Sequence, residues 1–224
     1  MPPGVGVALA YLAGSMPTAF LAGRLLKGID LRQHGSGNLG ATNVYRVLGA
    51  KAGIAVFLID VLKGALAVWL LPRLAVTPYP EWWAIAYGLA AVAGHVRPVF
   101  LLGRGGGKGV ATATGVFLAL APVPTLLATV VWIAVLAASG YVSLASLSSA
   151  IALPSGVLVM EGVASPVSAL AVVLALFVIW THRANIGRLR RGEEARFGRR
   201  GAPVEAHTGR SVDVGGGGAP GDHR

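Results

Sequence analysis

From residue 110 to residue 181 the chain runs for 72 residues without a lysine or an arginine, broken only by Pro122, Pro124, Ser139-Gly140, Pro154 and a turn at 161–166. A soluble domain has no use for so long a stretch with Glu161 as its one charged side chain. The hydrocarbon of a bilayer does, because its thickness of about 30 Å takes one apolar helix of roughly 20 residues per crossing. Three further apolar segments precede it, near 4–26, 52–72 and 83–102, separated by short polar loops. A mean hydropathy of +0.68 agrees with a bilayer as the solvent. The first segment begins within four residues of Met1 with no lysine or arginine before it, so it lacks the charged start of a cleaved signal and is expected to be a retained helix.

The basic residues then set an orientation. The 19 Lys and Arg face only 9 Asp and Glu, for a formal charge of +10, and nine of the cations lie from Arg183 onward. Beside membrane spans, such charge suits anionic lipid headgroups better than nucleic acid. The absence of cysteine excludes disulfides and thiolate chemistry. Basic loops stay on the cytoplasmic side, and here the loop at 27–51, the pair Arg104 and Lys108, and the tail from Arg183 are basic, whereas the loop after the second span offers only Arg73. The N-terminus is therefore expected outside and the C-terminus in the cytoplasm. Parity requires an even number of crossings between Lys108 and Arg183. We expect two full crossings there plus short or broken helices around 141–160, where SLASLSSA permits close packing or a re-entrant path.

The expected fold is thus an all-α, polytopic membrane helix bundle of about seven helices with five full crossings. Residues 1–191 form the membrane domain, and 192–224 read as a polar, glycine-rich, disordered tail. Within the second span Asp60 and Lys63 share one helix face at i and i+3, either as an ion pair that fixes packing or as part of a site.

Three polar motifs fall on the basic side. The first is Gly35-Ser36-Gly37-Asn38-Leu39-Gly40-Ala41-Thr42-Asn43, followed by Arg46. Interleaved glycines aim successive N–H groups into a concavity, and Ser, Asn and Thr add short donors at the same radius, which suits a phosphate or an oxyanion. The second runs from Gly94-His95 to Arg104-Gly105-Gly106-Gly107-Lys108-Gly109 and opens into a helix carrying Thr112. Free helix-terminal N–H groups and two cations make it an anion site. It is not a Walker A loop, since Leu102 stands where the first glycine is needed and Gly109 where Ser or Thr would bind magnesium. The third, Thr181-His182-Arg183-Ala184-Asn185-Ile186-Gly187-Arg188-Leu189 with Glu194 beyond, puts His182, Asn185 and Leu189 on one face of a continuing helix.

No His is followed five positions later by Asp, so the HxxxxD dyad of acyl-CoA-dependent glycerolipid acyltransferases is missing. There is no GxSxG elbow, and no grouping of His and carboxylates suggests a metal site. Anion binding, hydrogen bonding and one or two imidazoles remain. A transporter for a phosphorylated metabolite would use similar loops, but shows internal repeats and sites near the midplane; no repeat is visible here. A structural scaffold would tolerate alanine at Gly105, Gly106 and Gly107.

The segments AYLAGSMPTAFLAGRLLKGIDLR, GSGNLGATNVYRVLG, DVLKG, GHVRPVFLLGRGGGKGVAT and HRANIGRLRRGEE, in this order over roughly residues 8–194, resemble the bacterial acyl-phosphate:glycerol-3-phosphate acyltransferase family of the PlsY type. The resemblance implies transfer of a fatty acyl group from acyl phosphate to the 1-hydroxyl of glycerol 3-phosphate, giving lysophosphatidic acid and phosphate. It further implies a seven-helix fold in the bacterial cytoplasmic membrane with a cytoplasmic-facing site. No cofactor is expected, and the partners are the two substrates and membrane lipids.

Ser36, Asn38, Gly40, Thr42, Asn43 and Arg46, then Lys108 with its preceding glycines, then His182, Asn185 and Glu194 fall on the family's pattern. The family has two glycines between the basic residues of motif two and this chain has three, so either Arg104 or Gly105 takes the basic position; Arg97 replaces the customary aromatic. Expected catalytic residues are Ser36, Arg46, Lys108, His182 and Asn185. Expected substrate contacts are Gly35, Gly37, Asn38, Gly40, Thr42, Asn43, His95, Arg104, Gly105, Gly106, Gly107, Thr112 and Glu194. Acyl phosphate is already activated, so positioning and charge stabilisation suffice. Either His182 or the substrate's own phosphate takes the hydroxyl proton, and an acylated Ser36 is the covalent alternative.

Overall fold

The computed structural model describes residues 1–198, and the remainder of the expected tail lies outside the described residues. Every regular element among them is helical. Helices α1 (Pro3–Ser15) and α2 (Thr18–Lys27) make up the first apolar span, and Pro17 divides them because it lacks the N–H that would continue the ladder. A short helix α3 (Ala41–Leu48) leads into α4 (Ala50–Leu74), whose 25 residues reach about 37 Å. Then come α5 (Pro80–Val96), the short α6 (Val110–Leu120), α7 (Pro122–Ser139), α8 (Val142–Glu161), α9 (Pro166–Thr181) and α10 (Arg183–Arg190).

Five stretches are long and apolar enough to cross a membrane: Pro3–Lys27, Ala50–Leu74, Pro80–Leu101, Pro122–Ser139 and Val142–Glu161. With α6 and α9 they give seven membrane helices, five of them long, as the sequence led us to expect. The placement of the short ones differs. The segment 141–160 is not broken: α8 runs through Pro154 for 20 residues, and the short helices are α6 and α9. A proline is tolerated within a membrane helix when neighbours supply polar partners, and the Ser155 hydroxyl donates to the Ile151 carbonyl at 3.0 Å in that turn. The small residues of α8 serve packing instead. Ser143, Ala145, Ser146 and Ala150 are buried, and Trp132 of α7 donates its indole N–H to Ser146 at 3.2 Å.

The interior is built from small and β-branched residues such as Ala113, Val116, Ala171 and Val92 around Phe117, while Leu58, Ile54, Trp69, Val130 and Leu176 point outward. An apolar exterior over a small-residue interior is the arrangement bilayer helices require. Glycines bring helix backbones together: for example, a Cβ at Gly115 would lie 1.9 Å from the Val61 carbonyl oxygen, and one at Gly94 would lie 2.2 Å from that of Tyr11. The first docks α6 on α4 and the second docks α5 on α1, which fixes where the loops at one end of the bundle emerge.

Candidate active site

At that end the loop after α2 is folded by its own side chains. Asp30 accepts from the Arg32 backbone N–H at 3.0 Å, and the Arg32 guanidinium returns to the same carboxylate at 2.6 Å. That contact with Arg32 holds the Asp30 carboxyl down at about 2. Gly35 and Gly37 take φ of 62° and 70°, where a side chain is strained. Asn43, buried in the first turn of α3, reaches back beneath them. Its Oδ1 accepts from the Ser36 N–H at 2.8 Å, and its Nδ2 donates to the carbonyls of His34 at 3.0 Å and Leu31 at 3.3 Å. The Asn43 amide is therefore spent inside the loop, while Ser36 is exposed and Asn38, Gly40 and Thr42 are partly so.

The triple glycine of motif two lies against the end of α5. A Cβ at Gly106 would sit 2.2 Å from the Val96 carbonyl oxygen and one at Gly107 only 2.1 Å from His95 Nε2. Only glycine allows that approach, so the loop's composition answers packing as well as the anion binding expected of it. Gly105 lies against Arg32, where a Cβ would come within 2.7 Å of the Arg32 Cδ, and so brings motif two to motif one. His95 is buried, with Nδ1 3.6 Å from Asp60. Thr112 is fully buried where α6 meets α4, away from the loop surface, and Arg104 is exposed.

Lys108, two residues before the start of α6, donates to Asn185 Oδ1. Asn185 Nδ2 then donates to Glu194 at 2.6 Å, and Arg188 donates to the other oxygen of that carboxylate, also at 2.6 Å. Burial works against the Glu194 carboxylate, but Asn185 and Arg188 hold its pKa below the ordinary value. Thr181 donates to the Lys108 carbonyl at 3.2 Å, locking motif three to motif two. Arg46 completes the ring by donating to the Ala195 carbonyl at 3.3 Å.

The helix path bends by 56° between α9 and α10, and His182 sits at the bend, 3 % exposed. Its Nδ1 lies 2.8 Å from the Val178 carbonyl oxygen. A carbonyl only accepts, so Nδ1 carries the proton and Nε2 holds the free lone pair. The structure thus unites Arg46, Lys108, His182, Asn185 and Glu194, places Ser36 on the neighbouring loop, and leaves Thr112 and Arg104 apart. Arg188 was missed by the sequence reading, although its i+3 spacing from Asn185 put it on the same helix face.

Burial pushes the Lys108 pKa down to about 8; Glu194 opposes the change, and Arg188 and Arg46 add to it. Three cations around one carboxylate leave the site positive, which is what a phosphate needs.

A sequence model of the glycerol-3-phosphate acyltransferase family matches residues 5–192. Proteins named glycerol-3-phosphate acyltransferase are similar to this chain: that of Synechococcus sp. (strain CC9902) is 49% identical over 195 residues, covering 87% of this chain and 95% of the relative. That of Geobacter sulfurreducens is 47% identical over 190 residues, covering 85% and 95%. Among solved structures, the crystal structure of PlsY (YgiH), an integral membrane glycerol 3-phosphate acyltransferase, in its glycerol 3-phosphate form has a TM-score of 0.81 and 41% identity, covering 88% of this chain and 96% of that one. Its lysophosphatidic acid form has a TM-score of 0.76 and 40% identity, over 88% and 95%.

Proposed function

The chain belongs to the glycerol-3-phosphate acyltransferase family, and on that premise we propose that it transfers a fatty acyl group from acyl phosphate to the 1-hydroxyl of glycerol 3-phosphate. The products are lysophosphatidic acid and inorganic phosphate. The observation that carries this reading is the convergence of Arg46, Lys108 and Arg188 on a site that also holds His182 and Asn185. Such a site can hold two phosphates and spread the charge that develops as one of them leaves.

In the reaction the hydroxyl oxygen of glycerol 3-phosphate forms a bond to the acyl carbon, and the bond from that carbon to the phosphate oxygen breaks. Lys108 and Arg46 neutralise the phosphate charge gathered at the site, with Arg46 exchanging its Ala195 contact for a phosphate oxygen. Ser36 and Asn38 donate from the glycine loop, whose shape Asn43 maintains from below. Asn185 orients the Lys108 ammonium, and Glu194 and Arg188 fix the amide.

His182 Nε2 accepts a hydrogen bond from the attacking hydroxyl and orients it. Protonating an imidazole so buried beside an ammonium is costly, so the substrate's own phosphate dianion takes the proton. Phosphate is already a good leaving group, and an acylated Ser36 is not needed.

We place the enzyme in the bacterial cytoplasmic membrane with its N-terminus outside. Lys27, Arg32, Lys108 and Arg188 crowd one end of the bundle, whereas Arg73 is the basic residue at the end of α4. The test is a donor comparison in purified protein with glycerol 3-phosphate as acceptor. Lysophosphatidic acid should form with acyl phosphate and not with acyl-CoA or an acyl carrier protein thioester. Equal rates with a thioester, or glycerol 3-phosphate flux into liposomes without donor, would overturn the proposal.

A further inference from the structure

The proposed mechanism leaves unused a buried charge in the middle of α4. Asp60 is 1 % exposed, and its Oδ1 gathers three neighbours: the Thr18 hydroxyl at 2.7 Å, Lys63 Nζ at 2.8 Å and His95 Nδ1 at 3.6 Å. Lys63 also donates to the Met16 carbonyl at 3.2 Å. That carbonyl belongs to the break between α1 and α2 that Pro17 creates. Asp60 Oδ2 is buried without a hydrogen-bond partner among the described residues.

Ion pairs at membrane depth are costly, and stability alone is a poor reason for one. Its reach explains it better. The His95 imidazole presents Nδ1 to Asp60, and its Nε2 edge lies directly under Gly107, where a Cβ would come within 2.1 Å. The Gly107 N–H in turn donates to the His95 carbonyl at 3.2 Å. The same imidazole lines a small cavity with Thr18, Leu39 and Gly106, between the two glycine motifs. Lys108 follows Gly107 immediately, so the height of the imidazole sets the height of the loop that presents the ammonium.

We propose that Asp60 is a positioning residue of the reaction: with Lys63 and Thr18 it holds His95 beneath Gly107, and through that contact it places the triple-glycine loop and Lys108 at the phosphate site. This rests on the reading of that loop as a phosphate site. Asp60 touches no substrate, and it acts on the binding of whichever substrate Lys108 holds.

The test compares steady-state kinetics of purified Asp60→Asn, His95→Asn, the double variant and Lys108→Arg, each with both substrates varied. Lys108→Arg identifies the substrate held by the loop as the one whose KM it raises. Asp60→Asn should raise that same KM roughly tenfold, leaving the other KM within about twofold and kcat within about threefold. The double variant should be no worse than the poorer single, because both act through one imidazole. Should Asp60→Asn fail to fold, Thr18→Val removes one hydrogen bond at nearly constant volume, and it should raise the same KM by roughly threefold.

A rise in one KM with Lys108→Arg but in none with Asp60→Asn or Thr18→Val would overturn this inference and leave the proposed function standing. A uniform loss of kcat and of both affinities, tracking a lowered unfolding temperature, would also overturn it, by making Asp60 a packing residue. No change in either KM with Lys108→Arg would overturn the loop's reading and this inference together.

Discussion

Lys108 is where the electrostatics of the site can be read by titration. Burial pushes its pKa down to about 8 against the pull of Glu194, with Arg188 and Arg46 adding to the shift. In the free enzyme the ammonium is present below that pH and lost above it, and a bound phosphate would favour the charged form. The expected outcome is that kcat/KM for the substrate Lys108 holds falls roughly tenfold per pH unit above pH 8. Lys108→Arg should remove that limb, since a guanidinium stays charged throughout the range. A flat wild-type profile through the alkaline range would contradict the assignment. At this scale the sequence showed which residue types gather in the motifs, because glycine, short polar side chains and cations are conspicuous among apolar helices. It did not show who faces whom. Asn43 reads as another donor of motif one, yet its amide is consumed by Ser36, His34 and Leu31. Thr112 reads as part of motif two, yet helical periodicity turns it into the contact of α6 with α4.

Among the elements, the segment 192–198 departs most from what composition suggested. It follows α10 along the site end of the bundle instead of leaving it: the Phe197 N–H donates to the Gly140 carbonyl at 2.7 Å, and its ring lies 4.5 Å from that of Tyr45. Arg196 donates to the Tyr141 hydroxyl at 3.3 Å from the same segment. The segment thus ties α3, which carries Arg46, to the turn between α7 and α8. An aromatic pair contributes roughly 0.5–1.5 kcal/mol. Phe197→Ala should therefore loosen Arg46 and raise a substrate KM by roughly threefold to tenfold, with little change in unfolding temperature; unchanged kinetics would show that the segment holds nothing the reaction uses. A reading by composition misses such a segment, because its contacts are single residues reaching distant helices. For α8 the reason is different. Pro154 and a run of serines look like a break in water, but in a tightly packed bundle the hydroxyls find carbonyls of the same helix and the helix continues. The number of membrane helices was legible because hydropathy and charge parity constrain it. Which of them are short was not, because length is set by where each helix meets its neighbours.

For the whole molecule, the cations at one end of the bundle do two things at once. On the proposed reading they set its orientation in the membrane and surround the loops assigned to phosphate, so the charge asymmetry legible in the sequence would serve topology and site together. The proposed function has a phosphorylated acceptor from water and an acyl donor from the bilayer meet there, where Thr181 at the end of α9 holds the Lys108 carbonyl just before α6. Direct transfer between them, without a covalent intermediate, is decided by measuring phosphate release from acyl phosphate in purified enzyme, with and without glycerol 3-phosphate, against the lysophosphatidic acid formed. Release is expected only when both substrates are present, one phosphate per product molecule. A burst of phosphate equal to the enzyme concentration in the absence of glycerol 3-phosphate would rule out direct transfer, and would point to an acylated side chain, with Ser36 the first to examine.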